Sequence, residues 1–369
     1  MKTFIHTFSL TTYLQSNERL ALETAYKENC MWSGDEKKWI IYTFNKDGIL
    51  IKISNNSKKE KSMDKEHPPY KASIIINLHK LCCPDEIYNI STKPQDISIA
   101  CSILERIFIN IKEQCGVNLL KNTKLKRVDV TKDITTPSEE YTREIIRLSK
   151  LSVIRCGYKR WEPDESNKNV KWALENASMF YTPTQKVNIK LYNKEQDLKD
   201  HGYNIELDGK GILRFEISLL RPALKQLNYI IYDNITINEL NQTLNKITND
   251  GDVLLEKYIA SPLYDGCMIS KKLQDKYISI QYPGKEHRLK NMKQYRKSVN
   301  NKDTDFENMN SGKIYRTAEH FSNIKLSPVY TQPEFPYIPS FLQLLHEETD
   351  KDVLSFCFHN TKEKDIVFW

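Results

Sequence analysis

Three stretches alternate polar and apolar side chains so as to gather carboxylates, cations and a tyrosine on one surface. They are TKLKRVDVTKD (123–133), KVNIKLYNKEQD (186–197) and GILRFEISLL (211–220). Residues two apart in a strand share a face, so Val128 and Val130 point one way while Arg127, Asp129 and Thr131 point the other. In the second stretch Val187, Ile189 and Leu191 oppose Asn188, Lys190 and Tyr192; in the third Leu213, Phe215, Ile217 and Leu219 oppose Arg214, Glu216 and Ser218. Placed side by side, such strands give one face to a core and one to chemistry. Asp129 and Glu216 supply hard oxygen ligands suited to Mg²⁺ or Mn²⁺, and Arg127, Lys190 and Arg214 make the field receptive to a phosphate. A tyrosine hydroxyl, with an ordinary pKa of about 10, is a poor nucleophile at neutral pH. A metal that polarises the phosphate and a cation that favours the phenolate would overcome this. Alternation alone also describes any antiparallel sheet with one solvated, ion-paired face, so the identity and order of the motifs carry the weight.

The elements that must position these groups are partly legible. WIIYTF (39–44) and GILIKIS (48–54), separated by NKD, form a hairpin pattern, and KASIIINLHKL (71–81) is a β-branched strand candidate. Between them SNNSKKEKSMDKEHPP (53–68) reads as a polar, lysine-rich loop. Helical spacing runs through 94–115, where Ile103, Leu104, Ile107, Phe108 and Ile111 make one apolar face, and through 137–150. Strands and helices mix without strict βαβ alternation, which predicts α+β with a mainly antiparallel central sheet and helices on one face. Near 228 the character changes: TINELNQTLNKI (236–247) opens with a capping box, and helical patterns follow. The expected division is an α+β domain over 1–228, with its core at 70–225, and a mostly helical DNA-binding or accessory domain over 229–369. No repeat of fixed period is evident.

RVDVT (127–131), KLYNKEQD (190–197) and LRFEISL (213–219), in that order, resemble the signature of rolling-circle replication initiators. The likeness is to the gene-two class of phage and plasmid replication proteins typified by filamentous phages, and to the related plasmid initiators of the Rep_trans type. Both groups read as an R-[VIL]-D strand, a tyrosine-bearing strand and an R-[VF]-E strand. The resemblance covers about residues 70–225 and extends more weakly through 285–320, where KQYRKSVNNKDTDF (293–306) is similar to a helix near the C-terminus of the phage group.

The resemblance implies a site-specific nickase and strand transferase. Tyr192, in a YNK context, would form a 5′-phosphotyrosyl link and free a 3′-OH primer, with Mg²⁺ or Mn²⁺ held by Asp129 and Glu216. Lys194, Arg214 or Lys190 would stabilise phosphate charge, and Trp161, beside basic residues in GYKRWEP (157–163), is either a stacking surface for unpaired bases or a core tryptophan. Implied partners are origin DNA, duplex and single-stranded, a host helicase and polymerase, with a homodimer as one expected assembly. A conjugative relaxase, a non-catalytic origin- or operator-binding protein and a nuclease using water fit the same motifs. Departures from the pattern bear on the metal shell. None of the eight histidines has His-x-His spacing, and Ile75 stands where the plasmid group tends to carry glutamate. His79 is either a third ligand or a structural histidine, and Tyr181, in SMFYTP, is the reserve nucleophile.

Composition sets the outer bounds. Over 369 residues, 55 Lys+Arg against 48 Asp+Glu leave a formal charge of +7, and 39% hydrophobic residues fit a globular chain and exclude collagen-like or disordered classes. The most basic stretch, KEHRLKNMKQYRK (285–297), has six Lys/Arg and one Glu; Arg288, Lys293 and Arg296 are its candidate phosphate contacts, against a plain solvated helix face. No window approaches the ~18 apolar residues of a membrane span, and FIHTFSLTTYL lacks a secretory apolar region, so a cytoplasmic protein is expected. The eight cysteines show no CxxC pair and read as reduced thiols; metal ligation at Cys82 and Cys83 is the weaker reading.

Overall fold

The computed structural model describes residues 3–27, 30–32, 39–44, 48–55, 68–82, 97–152, 158–160, 172, 175–182, 184, 186–203, 209–231, 233–260, 266–301 and 311–360. Trp161, Cys83, most of the loop expected at 53–68 and the end of the 293–306 stretch fall outside them.

The chain begins β1 (Phe4–Leu14), α1 (Ser16–Ala25), β2 (Cys30–Trp32), β3 (Trp39–Phe44), β4 (Ile49–Asn55), β5 (Tyr70–Asn77), α2 (Leu78–Cys82) and α3 (Ile97–Cys115). It continues β6 (Lys124–Thr136), α4 (Glu139–Leu151), β7 (Lys159–Arg160), β8 (Ala177–Tyr181), β9 (Val187–Asn193), α5 (Lys194–Asp200), β10 (Gly211–Leu220), α6 (Arg221–Gln226) and α7 (Ile237–Asn249). The C-terminal region is helical: α8 (Gly251–Leu255), a π-helical turn, α9 (Lys271–Gln281), α10 (Glu286–Asn301), α11 (Ser311–Asn323), α12 (Phe341–His346) and α13 (Lys351–Asn360), with two-residue strands β11 (Met268–Ile269) and β12 (Tyr337–Ile338). The class is α+β, a large antiparallel sheet with helices followed by a helical region.

Two compact units divide the chain, each discontinuous: Met1–Thr131 with Ser218–Asp252, and Lys132–Ile217 with Val253–Trp369. The expected boundary near 228 marks where strands give way to helices, whereas the units are cut within β6 and β10.

In the first unit the strands run β2-β3-β4-β5-β1-β6, and every paired register among them is antiparallel. The hairpin β3–β4 closes with Phe44 opposite Ile49. Gly48 makes this turn possible, with φ +70°, and a Cβ there would stand 2.8 Å from the Asn77 carbonyl oxygen. Ile51, Ile53, Ala72, Ile74, Ile76, Phe8 and Leu10 are buried on one sheet face. Leu104, Phe108 and Ile111 of α3 are buried too, while Ile103 and Ile107 are half-buried. α7 packs beside α3 and is capped as its sequence predicts: Thr236 accepts from the Glu239 N–H and Glu239 from the Thr236 N–H.

In the second unit the order is β6-β10-β9-β8-β7. Ser138 caps α4, accepting from the Tyr141 N–H, and α4 packs on β8 and β9.

The two orders expose a duplication that the sequence conceals. The chain runs β1-α1-β2-β3-β4-β5-α3 and then β6-α4-β7-β8-β9-β10-α7, counting the longer helices, and the neighbour orders β2-β3-β4-β5-β1 and β7-β8-β9-β10-β6 are the same. The N-terminal part is thus a second topological copy of the segment that bears the motifs.

Candidate functional site

In the second unit β10 lies between β9 and the end of β6. Ile189, Leu191, Phe215 and Ile217 enter the core, and α4 lies on that side, its Ser149 hydroxyl 3.0 Å from that of Ser178, the register partner of Leu191. Lys190, Tyr192, Arg214 and Glu216 therefore share the opposite face. That face is largely covered: Arg214 is 0% exposed, Glu216 4% and Tyr192 9%. The Glu216 carboxylate accepts from the Lys190 ammonium at 3.0 Å and, on its other oxygen, from the Tyr192 hydroxyl at 3.4 Å. Trp172 meets Tyr192 edge-on, ring centroids 6.4 Å apart.

Arg214 is locked by Asp133, with Nε to Oδ1 at 2.5 Å and Nη2 to Oδ2 at 2.6 Å. Burial opposes its charge, but the facing Asp133 carboxylate more than compensates and holds its pKa above the ordinary guanidinium value. This corrects the expectation that Arg214 meets a phosphate: its side chain has no exposed surface and is committed to an internal pair. Asp133 is the residue that sequence reasoning missed. The alternation of Arg127, Asp129 and Thr131 simply runs one step further, because β6 continues to Thr136.

Lys194 is also displaced from its expected place beside Tyr192 on a strand. Asn193 ends β9 by capping α5, its side chain accepting from the Gln196 N–H at 3.1 Å, so Lys194 is the first helical residue. Its ammonium stands 2.5 Å from Asp197, and burial lowers its pKa.

Two tyrosines lie on the polar face. Burial first, then the Glu216 carboxylate, pushes the Tyr192 hydroxyl well above 10, with Arg214 pulling the other way. Tyr181 sits on β8 opposite Asn188, on the same face as Lys190, and is half-buried. Burial raises its pKa and Lys190 lowers it.

The first unit holds Arg127 and Asp129. Their side chains form an ion pair at 3.1 Å, and Asp129, opposite Thr7 of β1, is 4% exposed. Beside Arg127 opens a cavity of about 410 Å³ lined by Ser9, Thr11, Lys71, Ser73, Ile75, Lys126 and Arg221, among others. Arg221 itself donates to the Leu125 carbonyl and to Asp233. His79 lies in α2, half-buried, rather than at the polar end of a strand.

The basic stretch forms α10, but its three candidates differ. Lys293 is exposed; Arg288 is half-buried, its guanidinium 4.9 Å from the centre of the Tyr282 ring. Arg296 is buried and donates to Asp275 at 2.8 Å, so its expected role as a phosphate contact is corrected to a structural one.

Among the described residues no three His, Cys, Asp or Glu side chains form a group able to hold a metal ion. Asp129 and Glu216, the carboxylates expected to hold Mg²⁺ or Mn²⁺, each carry a basic partner in contact. Cys82, Cys101, Cys115, Cys267 and Cys357 are free thiols. No helix among the described residues is long and apolar enough to cross a membrane.

These elements define an α+β protein with a tyrosine, a carboxylate and an ammonium in contact on a sheet face. No protein-family model matches the chain, and no curated protein matches it. Among solved structures it is similar to TBP of Methanococcus jannaschii, at 11% identity and TM-score 0.29, covering 67% of this chain and 99% of that one. It is also similar to a rolling circle replication initiator protein from Geobacillus stearothermophilus, at 11% identity and TM-score 0.27, covering 68% of this chain and 79% of that one.

Proposed function

We propose that this chain opens one strand of DNA by moving a backbone phosphate onto a tyrosine, and so initiates rolling-circle replication at an origin. The observation that carries the reading is the contact set Tyr192–Glu216–Lys190, which puts a nucleophile, a proton acceptor and a phosphate-compatible cation together on one covered sheet face. In the proposed step the phenolic oxygen bonds to phosphorus while the bond from phosphorus to the 3′ oxygen breaks. The phenolic proton passes to Glu216, and the 3′ oxygen leaves as a hydroxyl after taking a proton from solvent. Since no water is consumed at phosphorus, the ester survives in the covalent link and the reverse step rejoins strands. Lys190 balances charge on Glu216 before the step and on the phosphate during it.

A second reading keeps the reaction and changes the nucleophile. Tyr181 shares the face, is more accessible than Tyr192, and has Lys190 favouring its phenolate. Supercoiled DNA bearing the origin, incubated with protein and either Mg²⁺, Mn²⁺ or a chelator, tests both. Open circles with protein on the 5′ end are expected, lost in Tyr192→Phe and kept in Tyr181→Phe. The opposite pattern selects Tyr181, and no nicking under any condition sinks the enzyme reading in favour of an origin-binding protein.

A further inference from the structure

We propose that the open sheet face of the first unit, around Lys52, Lys71 and Tyr13, is a platform that binds single-stranded nucleic acid. It uses none of the groups placed around Tyr192, so it does not rest on the nicking reading.

The register of three neighbouring strands builds the face. Lys52 of β4 lies opposite Ser73 of β5, which lies opposite Thr11 of β1; two residues along, Ser54, Lys71 and Tyr13 line up in the same way. Parity sends these side chains to one side and Ile53, Ala72, Ile74 and Leu10 to the other, where they are buried. Lys52, Ser54, Lys71, Ser73 and Tyr13 are half-buried, as on a pleated face open to solvent.

The charge on this face is positive. β1, β4 and β5 contain no Asp or Glu, and among the described residues neither Lys52 nor Lys71 is in an ion pair. The neighbouring carboxylate, Asp129 of β6, is 4% exposed and lies behind Arg127, whose side chain keeps 36% of its surface. The cavity of about 410 Å³ opens on the same face, and no described acidic residue lines it.

The remaining surface selects the occupant. Lysines beside hydroxyls suit phosphate oxygens, whereas the half-buried Leu50 and Ile75 and the ring of Tyr13 suit the faces of bases. A duplex keeps its base faces stacked inside and presents phosphates outward, so a mixed basic and apolar face fits a strand whose bases are unpaired. The cavity can admit a nucleotide, and from Ser9 to Tyr13 the face runs about 13 Å along β1, room for more than one.

Fluorescence anisotropy of the full chain with labelled oligo(dT), in a chelator so that no strand is cut, measures this binding. Oligo(dT) is expected to bind roughly tenfold more tightly than a duplex of the same length. Lys52→Gln/Lys71→Gln should weaken it about tenfold and lower the slope of log affinity against log salt by about 1.4, twice the share of one single-strand phosphate. Tyr13→Leu should weaken oligo(dT) about fivefold without changing duplex affinity, and Tyr13→Phe should bind as wild type. Equal affinity for duplex, with no loss in Tyr13→Leu, would overturn the single-strand assignment in favour of duplex phosphates. Lysine variants that bind as wild type would overturn the site itself. Failure to nick while oligo(dT) binding responds to these variants counts against the Tyr192 chemistry alone.

Discussion

The strand sets β1–β5 and β6–β10 share one neighbour order and carry different chemistry. None of the first five strands contains an Asp or Glu, whereas β6 brings Asp129 and Asp133 and β10 brings Glu216. Around β1 and β5 the cavity wall is half-buried Ser9, Ser73 and Lys71 with buried Thr11, three hydroxyls and an ammonium. Around β9 and β10 the corresponding polar face is covered and holds a tyrosine, a glutamate and a locked arginine. A basic face rich in hydroxyls suits phosphate groups met as points of charge and needs no shifted pKa. Chemistry on a phosphate needs desolvated, mutually perturbing groups, and among the described residues the second set supplies them. One duplicated backbone thus carries two chemically different polar faces.

The largest expected effect breaks the second set at its base. Arg214→Ala should cost about 3–5 kcal/mol in urea unfolding, because it strands Asp133 in the interior, while Lys71→Ala in the first set stays within about 0.5 kcal/mol. Equal losses would erase the contrast. Arg296→Ala should follow at roughly 1.5–3 kcal/mol, with Lys293→Ala near zero in stability but weaker on DNA. Alkaline titration comes next. The folded pKa of Tyr192 lies above its unfolded value near 10, so its stabilising contribution is complete below that pH and is lost as pH rises toward the folded pKa. Wild type should lose up to about 1.4 kcal/mol more per pH unit there than Tyr192→Phe. The smallest effect tests the first set: Lys71→Gln should lower the slope of log affinity against log salt by about 0.9 if the residue meets a duplex phosphate, without changing the cleavage rate of bound DNA.

Period-two alternation made β6, β9 and β10 readable, and with them the shared face of Tyr192 and Glu216, because side-chain direction in a strand depends only on parity. What parity cannot give is depth. Arg214 and Lys190 read alike in sequence, yet one is locked to Asp133 and the other is a third exposed, since cover comes from elements distant in the chain. Lys194 was misplaced for a local reason: Asn193 accepts an amide bond that ends the strand. The duplication left no fixed period because neighbour order is carried by backbone pairing, which side chains as different as those of β5 and β10 can satisfy.

The central claim is that the tyrosine on β9 takes the phosphate. Trapping the DNA adduct, digesting it with trypsin and sequencing the nucleotide-bearing peptide tests it directly. Attack by Tyr192 places the label on Leu191–Lys194, which holds that tyrosine; a label on Trp172–Lys186, which holds Tyr181, or on neither peptide, would overturn its role.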